Sequence, residues 1–354
     1  MSYTPKLFVE FSYNSTSYNG IFCLIVQSSL MCDLSATYTR ELLLKYTSIL
    51  QMIEFPKKAP TKEGQVFENV CQGTCIFVIK HTKPEHNFFF LSANNDCTTL
   101  STLKGELILQ NDLITFYPED YAIPLLQPNE FSILQKIKRN SRKLCDFIYD
   151  ISQGDLNLTV AKNQISNNDT GVVLLRGRHI ASFHVNYDTN EFVKNSYRQT
   201  HVQRNRRNTF ILCQEITGTV DPRRIHCCIS DINKTFLCGH TINKILLKDV
   251  SWNFTIMGLL NSKLIDWVFR KTSSNNHVGG YELKQLPILQ PYIEEIDALS
   301  KNIFISQDNN YKTIISYKLD IILYHIYKLD YDEVLIIDPK TPISRAEYDN
   351  FKLD

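Results

Sequence analysis

The sequence predicts a mixed α/β protein in three parts: an incomplete α/β sheet over residues 1–124, an α+β domain over 125–290 and a short helical tail over 291–354. Three observations predict this division. Apolar runs of strand length alternate with a helical segment in the first part, the middle part is basic, and the tail is acidic. Strands that alternate with helices are typical of an α/β sheet.

The first part contains four predicted strands and one predicted helix. The strands are 20–26 (GIFCLIV), 50–55 (LQMIEF), 75–79 (CIFVI) and 88–91 (FFFL). A run such as GIFCLIV, without polar alternation, predicts a strand that is buried on both faces. Asp33 or Ser35 is expected to cap a helix whose apolar positions continue through Leu42, Leu43, Leu44 and Ile49.

This sheet is predicted to be incomplete and Rossmann-like. Doubly wound domains usually open with a strand and a glycine-rich turn that holds a nucleotide. Here the first strand is followed by Gln27, Ser28 and Ser29, and neither GxGxxG nor GxxxxGK[ST] occurs in the chain. The first part therefore resembles a doubly wound domain that starts in its middle.

The net charge of +1 conceals an uneven distribution of charge. Residues 130–290 contain 22 Lys and Arg against 13 Asp and Glu, whereas residues 292–354 contain 7 against 12. A basic helix is predicted over 131–148. An excess of cations suits a polyanionic partner, because each neutralised phosphate releases counterions. An unevenly charged surface exposed to solvent is the alternative.

The ten cysteines are scattered and form no CxxC pair. With no signal peptide or membrane span predicted, we expect a cytoplasmic chain with reduced thiols and no membrane partner. A zinc site is one interpretation of a group of Cys and His residues that lie close together in sequence, which are Cys213, His226, Cys227, Cys228, Cys238 and His240. Because Cys227 and Cys228 are adjacent and cannot both face one ion from a strand, we predict buried thiols and no metal.

Three ordered stretches resemble adenine-N6 DNA methyltransferases of restriction-modification systems. GIFCLIVQSSLM, LQMIEF and VFENVCQGTCIFVI match the second half of that family's catalytic domain, with Gln27 where the family usually has proline. QGDLNLT (153–159), LLRGRHI (174–180), ILCQEIT (211–217) and CGHTIN (238–243) resemble the TaqI-like specificity domain that follows it. The longest match is GLLNSKLIDWVFRKTSSNNHVGGYELKQLPI at 258–288.

The resemblance implies sequence-specific DNA recognition by the C-terminal portion of such an enzyme. The family transfers a methyl group from S-adenosylmethionine to an adenine that has left the duplex stack. Its cofactor turn and its Asn-Pro-Pro-Tyr loop are both missing here, so no catalytic residue is assigned and this chain alone is expected to bind no cofactor. S-adenosylmethionine belongs to the complete family enzyme. The expected partners are double-stranded DNA and a separate catalytic methyltransferase polypeptide.

The candidate site residues follow from the resemblance and from the chemistry of base readout. Phe67 matches the family's aromatic residue that stacks on the flipped base, and a core position is its alternative. Arg pairs with guanine, and Asn or Gln pairs with adenine, through two hydrogen bonds each. The DNA-binding candidates are Arg176, Arg178, His179, Arg204, Arg206, Arg207, Gln214, Arg223, Arg224, Asn275, Asn276 and His277.

Three hypotheses remain open from the sequence. The leading one is the C-terminal part of an adenine-N6 methyltransferase. The second is a non-catalytic specificity subunit of a multi-subunit restriction-modification system. The third is an interaction protein that binds no nucleic acid. An exposed apolar edge on the first 90 or so residues would favour the first hypothesis, and a closed domain would favour the second.

Overall fold

The structure is a computed structural model, and it describes residues 4–353 except 56–63, 65, 68–72, 85–86, 94–96, 140, 219–220 and 274–275. The fold is mixed α/β with several sheets, as the sequence predicts. The chain divides into two compact units, one of residues 1–135 with 270–275 and one of residues 136–269 with 276–354. The acidic tail therefore belongs to the same unit as most of the basic middle part.

The first unit contains one five-stranded sheet and a layer of helices. Its helices are α1 (Thr4–Ser15), α2 (Ser29–Cys32), α3 (Thr37–Tyr46) and α4 (Gln110–Phe116), and α5 (Glu130–Arg139) begins in it. Its strands are β1 (Ile21–Gln27), β2 (Ser48–Phe55), β3 (Thr74–Lys80), β4 (Phe88–Ala93) and β5 (Glu106–Leu109). All four predicted strands are present. Asp33 caps the turn before α3 by accepting a hydrogen bond of 2.8 Å from the Ser35 backbone N–H.

The strand order in this sheet is β1-β3-β2-β4-β5. β3 lies between β1 and β2 and runs antiparallel to both, so β1 and β2 run parallel to each other. β4 adds to β2 in parallel, and β5 closes the far edge in antiparallel orientation. Among the residues that the structure describes, β1 pairs only with β3 and is therefore an edge strand.

The two faces of the sheet differ sharply in exposure. On one face Met52, Phe77 and Leu91 lie in register and are fully buried. Helices α1, α3 and α4 contact one another in that order, and we assign this single layer to the buried face. On the opposite face Ile21 and Ile25 of β1 are 60% and 43% exposed. The prediction that the GIFCLIV strand is buried on both faces is therefore wrong, because the second face is exposed at the edge strand β1, although Ile53 and Phe55 on the same face of β2 are buried.

The second unit is built from short strands and a set of C-terminal helices. Its strands are β6 (Arg142–Lys143), β7 (Ile148–Gln153), β8 (Ile165–Ser166), β9 (Val173–Leu175), β10 (Ile180–Ala181), β11 (His184–Val185), β12 (Phe192–Val193), β13 (Ile211–Gln214), β14 (Cys227–Ile229), β15 (Phe236–Cys238), β16 (Ile242–Leu247) and β17 (Pro287–Ile288). Its helices are α6 (Gln199–Arg207), α7 (Asn253–Leu260), most of α8 (Lys263–Thr272), α9 (Gly280–Lys284), α10 (Glu294–Ile305), α11 (Asn309–Ile326), α12 (Tyr331–Ile337) and α13 (Arg345–Asn350).

Two four-stranded sheets organise this unit. One has the order β14-β13-β16-β7 and is antiparallel throughout, and the other has the order β15-β9-β12-β8 with β15 parallel to β9. An apolar cluster under the second sheet includes Leu156, Leu174, Val202 and Leu237. Since Val202 lies on α6, this helix is fixed to the sheet through its apolar side.

The predicted basic helix over 131–148 is too long. α5 ends at Arg139, and residues 142–143 pair with β17 while 148–153 pair with β16. These pairings join residues that are far apart in sequence, and they override the local helical preference. The predicted helix near 254–270 is also split in two, since the Asn261 side chain at the break bonds both the N–H and the C=O of Cys227.

No described helix has the length and apolar character that crossing a bilayer requires.

Candidate nucleic-acid interface

The RGRH segment follows β9 and is organised by one carboxylate. Glu191 accepts two hydrogen bonds of 2.7 Å each from the Arg176 guanidinium and one of 2.8 Å from Arg178. The Arg176 side chain is 26% exposed and that of Arg178 is 66% exposed. Glu191 therefore fixes both guanidiniums, and Arg178 presents its remaining donors to solvent.

His179 completes this segment as a hydrogen-bond acceptor. Its Nδ1 accepts from the Arg176 backbone N–H at 3.1 Å, which leaves the ring proton of the neutral imidazole on Nε2, 3.2 Å from Arg178 Nε. Partial burial, followed by the positive charge of Arg178, lowers the pKa of His179 below its usual value. The imidazole is therefore neutral at pH 7 and adds no charge beside Arg178.

The RNRR segment lies in the last turns of α6. Arg204 forms an ion pair with Asp150 and lies over the Phe210 ring. Arg206 donates to the Thr235 hydroxyl at 3.0 Å. Arg207 is exposed and has no partner among the residues that the structure describes. Of these three arginines, Arg207 is the one whose donors are all available to a ligand.

A buried polar cluster fixes α6 to the sheet beneath it. Lys244 and Asp155 are fully desolvated and form an ion pair of 2.6 Å. Lys244 also donates to Asn205 on α6 at 2.6 Å, and Asp155 accepts from the Asn205 amide at 3.1 Å and from His201 at 3.1 Å. Burial alone would raise the pKa of Asp155, but the charge of Lys244 and the surrounding donors lower it overall. This cluster holds the basic helix in one position.

The turn at 276–278 is held by the segment after β13. The Thr217 N–H donates to Asn276 O at 3.0 Å, and the Val278 N–H donates to Glu215 O at 2.6 Å. His277 remains 56% exposed, with its Nδ1 3.7 Å from the Glu215 carboxylate. The turn therefore presents the imidazole outward. Asn275 lies outside the described residues.

Arg223 and Arg224 are structural in this fold. Arg224 is 1% exposed, and its guanidinium donates to the Thr217 hydroxyl at 2.9 Å and to His277 O at 3.2 Å. Arg223 donates to the backbone oxygens of Asn261 and Ser262 at the break between α7 and α8. Both arginines support neighbouring segments, and Arg224 in particular presents no donor to solvent.

Gln214 also uses its side chain locally. Its Nε2 donates to Ile216 O at 2.8 Å, which closes the turn after β13. The adjacent Glu215 accepts from the Gln153 amide at 2.6 Å and is 8% exposed. Sequence reasoning did not select Glu215, although a carboxylate directly after an apolar strand was a visible signal.

A polar cleft of about 280 Å³ opens beside Glu215. Its lining residues are Ile151, Ser152, Gln153, Glu215, Asn243, Gly280, Tyr281 and Lys284. Tyr281 and Lys284 were also missed by sequence reasoning, because α9 is only five residues long and shows no periodicity that reveals its outward side. The cleft brings together hydrogen-bonding groups from four segments that are distant in sequence.

Phe67 lies in the first unit and is 47% exposed. The alternative in which it is a core residue is therefore wrong. An exposed aromatic ring is available for stacking on a base.

The Cys and His group forms no metal site among the residues described, where no cluster of three suitable ligands is found. Cys213 and Cys227 are cross-strand neighbours in β13 and β14, and Cys228 points away from them. Burial raises the pKa of the Cys213 thiol to about 12 and that of Cys228 to about 12. These side chains are buried thiols.

Comparison with known proteins finds a family similar to part of the second unit. Residues 172–288 match the TaqI-like C-terminal specificity domain. No curated protein sequence matches the chain. Among solved structures, the type IIL restriction-modification enzyme MmeI in complex with DNA aligns with 97% of this chain and 51% of its own, at 10% identity and a TM-score of 0.50.

Two other solved structures match with lower scores. The type IIG restriction endonuclease BpuSI aligns with 96% of this chain and 50% of its own, at 10% identity and a TM-score of 0.34. The DrdV–DNA complex aligns with 84% of this chain and 38% of its own, at 10% identity and a TM-score of 0.44. The chain thus spans about half the length of MmeI and BpuSI, and its fold is similar to that of restriction-modification enzymes.

Proposed function

We propose that this chain recognises a specific sequence in double-stranded DNA through its specificity domain. The observation that carries the proposal is the match of residues 172–288 to a specificity domain of restriction-modification enzymes. The solved structure of MmeI, which shares the fold, is of a complex with DNA.

The exposed groups of this domain suit the task. Arg207 is exposed, Arg178 is 66% exposed although it pairs with Glu191, and His277 is 56% exposed. Arginine contacts to phosphate fix the position of a protein on the duplex, and contacts to base edges select the sequence. The binding energy from phosphate contacts falls as salt rises, because released counterions are then less diluted.

DNA binding is tested by fluorescence anisotropy with a labelled pool of random-sequence duplexes at several salt concentrations. We expect the logarithm of the affinity to fall linearly with the logarithm of the salt concentration. Replacing Arg207 by Ala removes one phosphate contact and is expected to reduce the slope by about one. Arg345→Ala in the tail serves as the matched control, because Arg345 pairs with Asp332 outside the specificity domain. Absence of binding at low salt would refute the proposal.

We further propose that the chain corresponds to the C-terminal part of an adenine-N6 DNA methyltransferase, and that the S-adenosylmethionine-binding half of that enzyme lies outside residues 1–354. The three stretches that resemble the family's catalytic domain form three neighbouring strands of one sheet, in which the antiparallel β3 lies between the parallel strands β1 and β2. This arrangement supports the proposal. The exposed apolar side chains of Ile21 and Ile25 at the β1 edge also favour this proposal over a closed specificity subunit.

The residues present do not fit S-adenosylmethionine. The cavity at the carboxyl end of β1 has a volume of about 180 Å³ and is lined by Pro5, Lys6, Gln27, Ser29, Leu30, Asp33, Ser35 and Ala36. None of its lining residues is glycine, so every lining position carries a side chain that keeps a cofactor away from the backbone. Pockets for ligands of this size usually measure roughly 300–1,000 Å³. No methyl-transfer step is therefore assigned to residues of this chain.

Methyl transfer is tested with tritiated S-adenosylmethionine and duplex DNA. Residues 1–354 alone are expected to incorporate no label, and a protein or assembly that also contains the S-adenosylmethionine-binding half is expected to label adenine N6. Incorporation by the chain alone would contradict the division of labour, while leaving DNA recognition untouched.

A further inference from the structure

The polar cleft of the second unit holds a carboxylate, Glu215, whose position is fixed by its neighbours. Its backbone N–H donates to Thr241 O at 3.0 Å, and its C=O accepts from the Val278 N–H at 2.6 Å. The side chain is 10% exposed, and both of its oxygens lie 2.6 Å from the Gln153 amide nitrogen. The carboxylate is therefore held in one orientation at the wall of the cleft.

No Lys or Arg in the described part of the chain forms an ion pair with this carboxylate. Its hydrogen-bond donor, the Gln153 amide, is neutral, and His277 Nδ1 lies 3.7 Å away, beyond hydrogen-bond distance. Each carboxylate oxygen can accept two hydrogen bonds, so Gln153 leaves acceptor capacity unused. A ligand that covered the cleft without offering a donor would desolvate this charge at a large cost. The cleft therefore favours a ligand that donates a hydrogen bond.

Double-stranded DNA offers few groups that can donate to a carboxylate. Phosphate oxygens only accept hydrogen bonds, and they carry the same sign of charge as Glu215, so they repel it. In the major groove the donors are the N6 amino group of adenine and the N4 amino group of cytosine. Adenine also presents its N7 acceptor beside N6, whereas cytosine presents the amino group alone. Of the four bases, cytosine is therefore the best partner for Glu215.

The same cleft contains a cation that suits the guanine of a C·G pair. Lys284, the last residue of α9, lines the cleft and forms no hydrogen bond or ion pair with another described residue. Guanine presents two acceptors in the major groove, O6 and N7, and lysine is one of the residues that donate to them. One acceptor and one donor in the cleft thus match the donor and the acceptors that a C·G pair presents.

We propose that this cleft reads one C·G base pair in the major groove, with Glu215 accepting from cytosine N4 and Lys284 donating to guanine. The inference rests on the proposed function and adds the residues that select one base pair of the recognised sequence. Gln153 is a positioning residue that orients the Glu215 carboxylate. All the residues that line the cleft belong to the second unit, and the exposed His277 adjoins it through Glu215.

The test uses the full chain and the duplex motif that the wild type selects from a randomised pool. Competition binding compares this motif with duplexes in which each base pair is replaced in turn. Glu215→Gln replaces one acceptor by a donor, while its amide oxygen can still accept from Gln153. The variant is expected to lose roughly 10- to 100-fold of the preference for C·G at one position of the motif. Its affinity for random duplexes is expected to stay equal or to rise, because a charge that repels phosphate is removed.

Lys284→Met is expected to reduce the preference for C·G at the same position of the motif. Glu294→Gln and Lys318→Met are the matched controls, since both residues are exposed and lie on α10 and α11, outside the cleft. Both controls are expected to keep the wild-type preference at every position. Thermal melts establish that each variant is folded, and Lys284→Met tests the same base pair if Glu215→Gln does not fold.

Three outcomes would overturn the inference while leaving the proposed function intact. These are sequence-specific binding that Glu215→Gln and Lys284→Met leave unchanged, an equal loss of affinity for all duplexes, which would indicate a structural carboxylate, or a changed preference at an A·T pair. Absence of DNA binding by the wild type at low salt would instead overturn the proposed function, and the inference with it.

Discussion

Replacing Lys244 by Met is expected to destabilise the second unit severely. The Lys244 ammonium is fully desolvated and bonds Asp155 and Asn205 at 2.6 Å each. Its removal leaves the Asp155 carboxylate buried without its cation. Breaking a buried pair in this way costs about 3–5 kcal/mol, mostly through the uncompensated charge. That free energy corresponds to a shift of roughly 10² to 10³ or more in the unfolding equilibrium.

Urea unfolding followed by circular dichroism measures this loss. Arg345→Met is the matched control, since Arg345 forms an ion pair with Asp332 in which both side chains are more than half exposed. The control is expected to melt like the wild type. A double variant, Asp155→Leu with Lys244→Met, removes both charges and is expected to be more stable than Lys244→Met alone. A Lys244→Met protein within about 1 kcal/mol of the wild type would refute this reasoning.

The same pair makes stability depend on pH at the acidic end. The pKa of Asp155 is lower in the folded state than the value near 3.9 expected in the unfolded chain. Its stabilising contribution is therefore complete above about pH 5 and is lost as the pH falls through the folded pKa. In Lys244→Met the buried carboxyl lacks its cation, so its pKa is expected to rise and lowering the pH toward 4 should restore stability. Urea midpoints of both proteins across pH 3–7 check the sign.

Three further changes test separate parts of the second unit. Arg178→Ala is expected to weaken DNA binding by about 1–3 kcal/mol if the residue reads a base and to alter the preferred sequence, as measured by competition with defined duplexes. Gly258→Ala is expected to destabilise by about 1–3 kcal/mol, because a Cβ there would lie 2.1 Å from Ser300 Oγ, whereas Gly280→Ala, with 3.3 Å to its nearest neighbour, should cost less in the same thermal melt. Asp330→Ala removes the N-cap of α12 and is expected to cost about 1 kcal/mol in urea unfolding.

The strands of the first unit were predictable because their signal is local. Each is a short apolar run bounded by polar residues, and all four predicted strands occur within a few residues of their predicted bounds. The end of α5 was not predictable, because residues 142–143 and 148–153 leave the helical path to pair with strands more than 90 residues away.

The candidate site was predictable in residue type but not in detail. RGRH and RNRR were visible as basic segments, yet Glu191, which fixes Arg176 and Arg178, lies 13 or more residues away and carries no motif. Arg224 has the composition of a DNA contact and is buried, because Thr217 and the 276–278 turn enclose its guanidinium. Contacts of this kind depend on tertiary packing that a single sequence does not encode locally.

The burial of β1 differs between the sequence prediction and the structure. The sequence predicted a β1 buried on both faces, and the isolated chain leaves Ile21 and Ile25 exposed. The prediction was wrong because an apolar run does not reveal that its strand lies at the edge of a sheet.

Sequence-specific DNA recognition is tested most directly by selecting bound duplexes from a fully randomised pool and sequencing them. The full chain is incubated with the pool at moderate salt, and bound DNA is amplified over several rounds. We expect one enriched motif of defined length, and we expect Arg178→Ala or His277→Ala to change the bases enriched within it. Recovery of duplexes with no common sequence, at any salt concentration, would contradict sequence-specific recognition by this chain.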